Sequence, residues 1–101
     1  MATQAKAYII AEVEVHDAEG FEAYRSGVAP MIAAFGGRYL VRGGAIAALE
    51  GDPPTRRVVV LEFPSKAAAE TFWHSEEYRP VAALRHGSAH SRIYMVDGVA
   101  M

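Results

Sequence analysis

The chain predicts an α+β sandwich in which two similar halves share one antiparallel four-stranded sheet. Three observations predict it. The apolar residues change between a two-residue period and a three-to-four-residue period in the order strand, helix, strand, strand, helix, strand. The two helical stretches occupy equivalent places: at an offset of 48 residues Glu14 aligns with Glu62, Asp17 with Ser65, Glu22 with Glu70 and Tyr24 with Phe72. At 101 residues, 51% hydrophobic and 22% charged, the chain has material for one domain, residues 1–101, and one modest core.

Each element has its own signal. From Lys6 to Val15 the residues alternate, with Ala7, Ile9, Ala11, Val13 and Val15 on one face and Tyr8, Ile10, Glu12 and Glu14 on the other. Asp17 stands where a helix N-cap belongs, and Phe21, Tyr24, Val28, Ile32 and Phe35 form the stripe of the helix that follows. Pro30 should kink or split that helix, and Gly36-Gly37 should end it. Arg38–Arg42 reads as a second strand, interrupted at Gly43-Gly44 by a bulge or a close backbone approach and resuming over Ala45–Glu50. Gly51–Thr55 is a turn, and Arg57–Phe63 is the clearest strand of all. Ser65 caps a helix carrying Ala69, Phe72 and Trp73 on one side. Ser75 starts a second short helix with Tyr78, Val81, Leu84 and Arg85 inward, stopped by Gly87, and Ser91–Val96 is the last strand. The whole is the ferredoxin-like split βαβ order, βαββαβ.

Composition narrows the function classes. Ten Lys+Arg against twelve Asp+Glu give a net charge of -2, with no basic face for nucleic acid. RNA binding through the open sheet would set Glu12, Glu14 and Glu62 against phosphate. The absence of cysteine removes disulfides, thiol catalysis and cysteine-held clusters. No phosphate loop, nucleophile elbow or dinucleotide fingerprint is present, so no cofactor is expected. His86 and His90 have a ligand spacing, but Gly87 and Ser88 break the helix between them and no third ligand accompanies them, so no metal is expected. The N-terminal MATQAK lacks the features of a signal peptide, and no apolar run spans a bilayer. A cytoplasmic protein without membrane partners is the expectation.

Right-handed crossovers put both helices on one face of the sheet. Tyr8, Ile10, Val58, Val60, Tyr94 and Val96 then occupy the other face, an apolar area near the upper limit for a monomer. The same face of a second copy would cover it, giving a homodimeric α/β barrel. A monomer with an open amphipathic face is the alternative.

Several side chains are candidates for chemistry. Glu62, in the apolar third strand, is expected to look towards the second sheet beside Glu12 or Glu14 of a parallel neighbour. Burial and mutual repulsion there would raise its pKa into the acid–base range. The competing reading is a structural ion pair with Arg42 or Arg38. Arg42, followed by Gly43-Gly44, is a candidate holder of a carboxylate or enolate; the glycines suit a structural bulge that bends the sheet better than they suit a ligand. Tyr24, Trp73, Tyr78 and Arg85 are candidate walls and polar heads of a pocket for a small aromatic or organic acid, with ordinary core as the alternative.

The segments KAYIIAEVEVHDAEGFEAYR, FGGRYLVRGG, LEGD, RRVVVLEFPS, EEYR and SRIYMVDG together resemble the bacterial domain-of-unknown-function family 1330, from about Lys6 to Gly98. That resemblance implies a homodimeric ferredoxin-like barrel and no established reaction. It carries over Tyr24, Gly37, Arg42, Glu62, Trp73, Tyr78 and Arg85 as important positions. Relatives in the wider superfamily include cofactor-free monooxygenases, haem-degrading monooxygenases, muconolactone-isomerase-like enzymes and polyketide cyclases. The haem-degrading members use an Asn, which this chain lacks altogether. Two functions follow as expectations. One is a cofactor-independent enzyme (isomerase-, cyclase- or monooxygenase-like) acting on a small organic acid or aromatic compound, with Glu62 transferring the proton and Arg42 or Arg85 holding the anion. The other is a non-catalytic, ligand-binding or stress-related dimeric module.

Overall fold

The computed structural model describes residues 5–100. They run β1 (Ala7–Val15), α1 (Ala18–Ala34), β2 (Arg38–Arg42), β3 (Arg57–Phe63), α2 (Lys66–Trp73), α3 (Tyr78–His86) and β4 (Ala89–Asp97). The strands form one sheet in the order β2-β3-β1-β4, with every neighbouring pair antiparallel. This is the expected ferredoxin-like α+β sandwich. Met1–Gln4 and Met101, at the ends of the chain, lie outside the described residues. No helix among the described residues is long and apolar enough to cross a membrane.

Local chemistry sets the ends of the elements. The Asp17 side chain accepts from the Gly20 amide at 3.2 Å, and the Ser65 hydroxyl accepts from the Ala68 amide at 3.1 Å, so two helices begin on side-chain caps. At the far end of α1 Gly36 takes φ +87°, its amide bonds to the Ala33 carbonyl and the Gly37 amide to the Ile32 carbonyl. That paired closure is a Schellman stop, which needs a residue free to adopt a left-handed φ. The core lies between the helices and one sheet face: Ala7, Ile9, Leu61 and Phe63 meet Val28, Ile32, Phe72 and Tyr78.

Four local expectations are corrected. α1 is not split at Pro30: it is one helix from Ala18 to Ala34. Pro30 and Ser26, whose carbonyl loses its amide partner, are both exposed, so water can serve that carbonyl. The chain does not resume a strand at Ala45–Glu50; residues 43–56 carry no strand and 41–55 are exposed throughout. Gly43, at φ +71°, makes a last bond from its amide to the Val58 carbonyl and then turns the chain away from the sheet. The register irregularity of β2 falls between Tyr39 and Val41, ahead of the glycine pair. Finally, α3 begins at Tyr78, where the Ser75 hydroxyl accepts from the Tyr78 amide. Its buried residues are Tyr78, Ala82 and Arg85, whereas Leu84 is exposed.

Candidate active site

The alternation of the strands decides which side chains can meet. Ile9, Leu61 and Tyr39 share a row on the helix-covered face, and Arg42 sits opposite Val59 on that same face. Between these strands and the helices lies a cavity of about 250 Å³. Its sheet wall is Ile9, Ala11, Val13, Tyr39, Val59 and Leu61; α1 contributes Phe21 and Tyr24, and α2 and α3 contribute Phe72, Trp73, Tyr78 and Arg85. The walls are thus apolar and aromatic, with the polar groups gathered in a few places, as in small-molecule sites generally.

Arg85 is the most unusual of these groups. It is only 5% exposed, yet no carboxylate pairs with it among the described residues. Its Nη1 donates to the Tyr78 hydroxyl at 3.0 Å, and its Nη2 lies 3.2 Å from His86 Nε2. Its carbon centre lies 5.4 Å from the Tyr24 ring and 5.5 Å from the Trp73 ring. The buried Nε has no hydrogen-bond partner among the described residues. A guanidinium carries five donors, so this one is left wanting an acceptor. Tyr78 passes the polarisation on, because its hydroxyl lies 3.1 Å from that of Tyr24. Burial pushes the pKa of both phenols up; Arg85 opposes that rise at each, and at Tyr78 the Tyr24 hydrogen bond opposes it more strongly. Both therefore rest as neutral donors at physiological pH.

Arg42 also belongs to the cavity, its guanidinium 4.2 Å from the centre of the Tyr39 ring. Burial raises the Tyr39 pKa, with Arg42 among the charges that oppose it. The structure therefore brings together five of the six sequence candidates: Tyr24, Arg42, Trp73, Tyr78 and Arg85.

Glu62 is the sixth, and it lies elsewhere. In the antiparallel register it faces Tyr8 and Arg38, on the face opposite the cavity, while Glu12 stands across from Val58. The expected cluster with Glu12 or Glu14 and the expected partnership with Arg42 are both absent, because β1 and β3 run in opposite directions and Arg42 points to the other face. Arg38 Nε donates to Glu62 at 2.8 Å, the Tyr8 hydroxyl donates at 3.2 Å, and Lys6 Nζ lies 3.7 Å away. Desolvation alone would raise the Glu62 pKa, but these donors and charges together hold it below the usual carboxyl value. Its expected raised pKa is corrected to a lowered one, and the ion pair with Arg38 is the reading the geometry matches.

Sequence reasoning missed Arg57, Tyr39, Arg25 and Glu22, which also line the cavity. Arg57 was legible: it alternates with Val59, Leu61 and Phe63, so it shares their face. Glu22 is the one carboxylate among the described residues lining the cavity, and Arg25 holds it at 3.2 Å. His90 lies on β4 with its ring 5.0 Å from that of His16, and no group of three metal-ligating side chains occurs among the described residues.

The fold and site thus define a ferredoxin-like domain with an arginine-bearing aromatic cavity between helices and sheet. The chain belongs to the family described as a domain of unknown function (DUF1330), whose model matches residues 6–99. RPA0582 of Rhodopseudomonas palustris, a protein of unknown function, is similar in fold with a TM-score of 0.76 and 20% identity over 97% of this chain and 85% of that one. SnoaB of Streptomyces nogalater, a cofactor-independent oxygenase, gives a TM-score of 0.60 at 14% identity over 91% of each chain. A conserved protein of Bacteroides thetaiotaomicron, described as a possible oxidoreductase, gives 0.64 at 10% identity over 93% of this chain and 98% of that one. These likenesses are of fold. No curated protein matches the sequence.

Proposed function

We propose that the protein is a cofactor-independent enzyme that binds a small organic acid or aromatic compound in the helix-side cavity and works as a homodimer. One observation carries the proposal: a buried guanidinium without a carboxylate partner faces an aromatic-walled cavity. Such a group is expensive to keep and is repaid when an anionic ligand enters. Arg85 would take the ligand's carboxylate or developing enolate, with Arg42 as a second holder. Tyr78 and Tyr24 would donate a relayed hydrogen bond to the same oxygen, and Trp73 would support the ligand's flat body. Donors fixed in advance around a growing negative charge are the means by which a site without a cofactor lowers a barrier. The fold likeness to a cofactor-independent oxygenase supports the class.

The homodimer rests on the other sheet face. Val41, Val60, Ile10 and Tyr94 form a row across all four strands. Val41 is 40% exposed, and Tyr94 and Val96 are each 44% exposed. The carboxylates beside the row are already partnered, Glu62 by Arg38 and Glu12 by Arg92 at 2.9 and 3.0 Å. A second copy packed on that row would therefore bury neither Glu62 nor Glu12 unpaired.

A non-catalytic ligand-binding module is the second reading, and Glu22 favours it, because this one carboxylate among the described lining residues is tied to Arg25. Thermal-shift screening against small carboxylic acids, followed by mass spectrometry of each hit after incubation, decides between them. A new product that disappears in Arg85→Gln supports the enzyme. Stabilisation without product supports the module. No stabilisation by any acid removes both.

A further inference from the structure

Arg85 is one anion-seeking pole of the cavity, and the sheet supplies a second. Arg57 shares the helix-covered face with Val59, because it pairs with Val13 of β1. Arg42 pairs with Val59, one same-face step from Arg57, so the two arginines are diagonal neighbours roughly 7–8 Å apart at the backbone, with Cβ atoms somewhat closer. Neither has a carboxylate partner among the described residues. Among the described residues no hydrogen-bond partner meets the buried Arg57 Nε, nor the Arg85 Nε. Gly43 explains how Arg57 is held. A Cβ at residue 43 would lie 2.5 Å from Arg57 Nε, so the arginine lies against bare backbone at the turn.

The two poles stand on different elements, one on α3 and one on the β2–β3 edge, and both line one cavity. Leu61, Val59 and Ile93 of the sheet and Trp73 of α2 line that cavity too. One acidic group would leave one pole unsatisfied. We infer that the site takes a dianion, with two acidic groups at opposite ends of a flat or extended apolar body, one on Arg85 and the other on Arg42 and Arg57. This rests on the proposed acid-binding site and specifies its ligand class.

The test is isothermal titration calorimetry of the full chain with terephthalate and adipate, each against its own monomethyl ester, which keeps the length and removes one charge. At least one dianion should bind about tenfold or more tightly than its ester. That ratio should collapse in Arg42→Gln/Arg57→Gln and persist in Arg79→Gln, whose side chain lies outside the cavity. Arg85→Gln should weaken dianion and ester alike. The wild-type salt dependence needs no variant: dianion affinity should fall more steeply with ionic strength than ester affinity. Esters binding as tightly as dianions, with Arg85→Gln still weakening them, would overturn the second pole and leave the acid site standing. A dianion preference unchanged in the double variant would overturn it too. If neither dianion nor ester binds the wild type, the acid site itself is wrong.

Discussion

Tyr78→Phe removes one oxygen and almost no volume, so its effect measures how short of partners Arg85 is. Tyr78 is 3% exposed, and its oxygen serves Arg85 at 3.0 Å and Tyr24 at 3.1 Å. A hydrogen bond to a charged group contributes about 1.5–3 kcal/mol, and a neutral one about 0.5–1.5 kcal/mol. Among the described residues the Arg85 guanidinium has His86 as its only other hydrogen-bond partner, so the first loss is felt nearly in full. Tyr24 is half-buried and can turn towards the cavity, so the second is felt in part. The expected destabilisation is about 2–4 kcal/mol, a large share of the ~5–15 kcal/mol that holds a domain together. Tyr24→Phe leaves the Arg85–Tyr78 bond intact and should cost only about 0.5–1.5 kcal/mol. Urea denaturation of both variants at one fixed protein concentration measures the difference, since association would otherwise shift the midpoint. A saturating acid ligand should recover part of the Tyr78→Phe loss by giving Arg85 an acceptor. Equal losses in the two variants would refute the view that Arg85 is starved of acceptors.

Three further outcomes follow from other parts of the fold. Val60→Lys places an unpaired charge at the centre of the exposed row and should weaken dimerisation about 100-fold or more, by about 3 kcal/mol, in sedimentation equilibrium. A wild type that stays monomeric at high concentration would remove the dimer instead. Glu62 has a depressed pKa in the folded chain, so the unfolded chain binds its proton more tightly. The stability it supplies is complete above the ordinary carboxyl value of 4.5 and is lost as pH falls through its lowered folded value. Glu62→Gln should therefore be less stable than wild type at neutral pH and converge with it in acid, while the stabilisation that a bound carboxylate ligand gives at neutral pH is unchanged. Gly37→Ala puts a methyl 2.6 Å from the Phe63 ring and should destabilise by about 1–3 kcal/mol in the same denaturation assay.

What the sequence revealed and what it hid divide along physical lines. The order of elements was legible because each relies on its own neighbours: the alternation of Ala7–Val15, the caps at Asp17 and Ser65, the paired glycines after Phe35. Four cavity residues, Tyr24, Trp73, Tyr78 and Arg85, were legible because helical spacing and the aromatic stripe set them inward, and Arg42 because the glycine pair follows it on β2. The ion pair of Glu62 with Arg38 was one of the two readings, but its neighbour on β1 was misread because that depends on strand direction. The paired neighbour of β3 on one side is β1, antiparallel, and a parallel assumption moves Glu12 alongside Glu62 when it belongs at the level of Val58. The segment after Gly43 was misread because the turn there depends on a single left-handed φ, while the apolar residues of Ala45–Glu50 imitate a strand. Leu84 was placed inside because helical spacing alone does not tell which neighbouring stripe the sheet will cover; Ala82 fills that place.

The irregularity in β2 ties the two proposed surfaces together. Tyr39 pairs with Leu61 and Val41 with Val60, so Leu40 is the extra residue, unpaired and 46% exposed. Had β2 run on regularly, Leu40 would have faced Val60, Val41 would have faced Val59 inside the cavity, and Arg42 would have faced Val58 on the open sheet. The additional residue exchanges the last two. Val41 joins the apolar row proposed for the partner copy, and Arg42 enters the cavity over the Tyr39 ring. A one-residue change of register inverts every side chain beyond it. The same inversion thus keeps a lone guanidinium out of the interface and places it beside Arg57, where the proposed ligand needs positive charge. The bulge was expected at Gly43-Gly44, where flexibility is visible in the sequence. It occurs at Leu40, where only the fate of Val41 and Arg42 shows the reason.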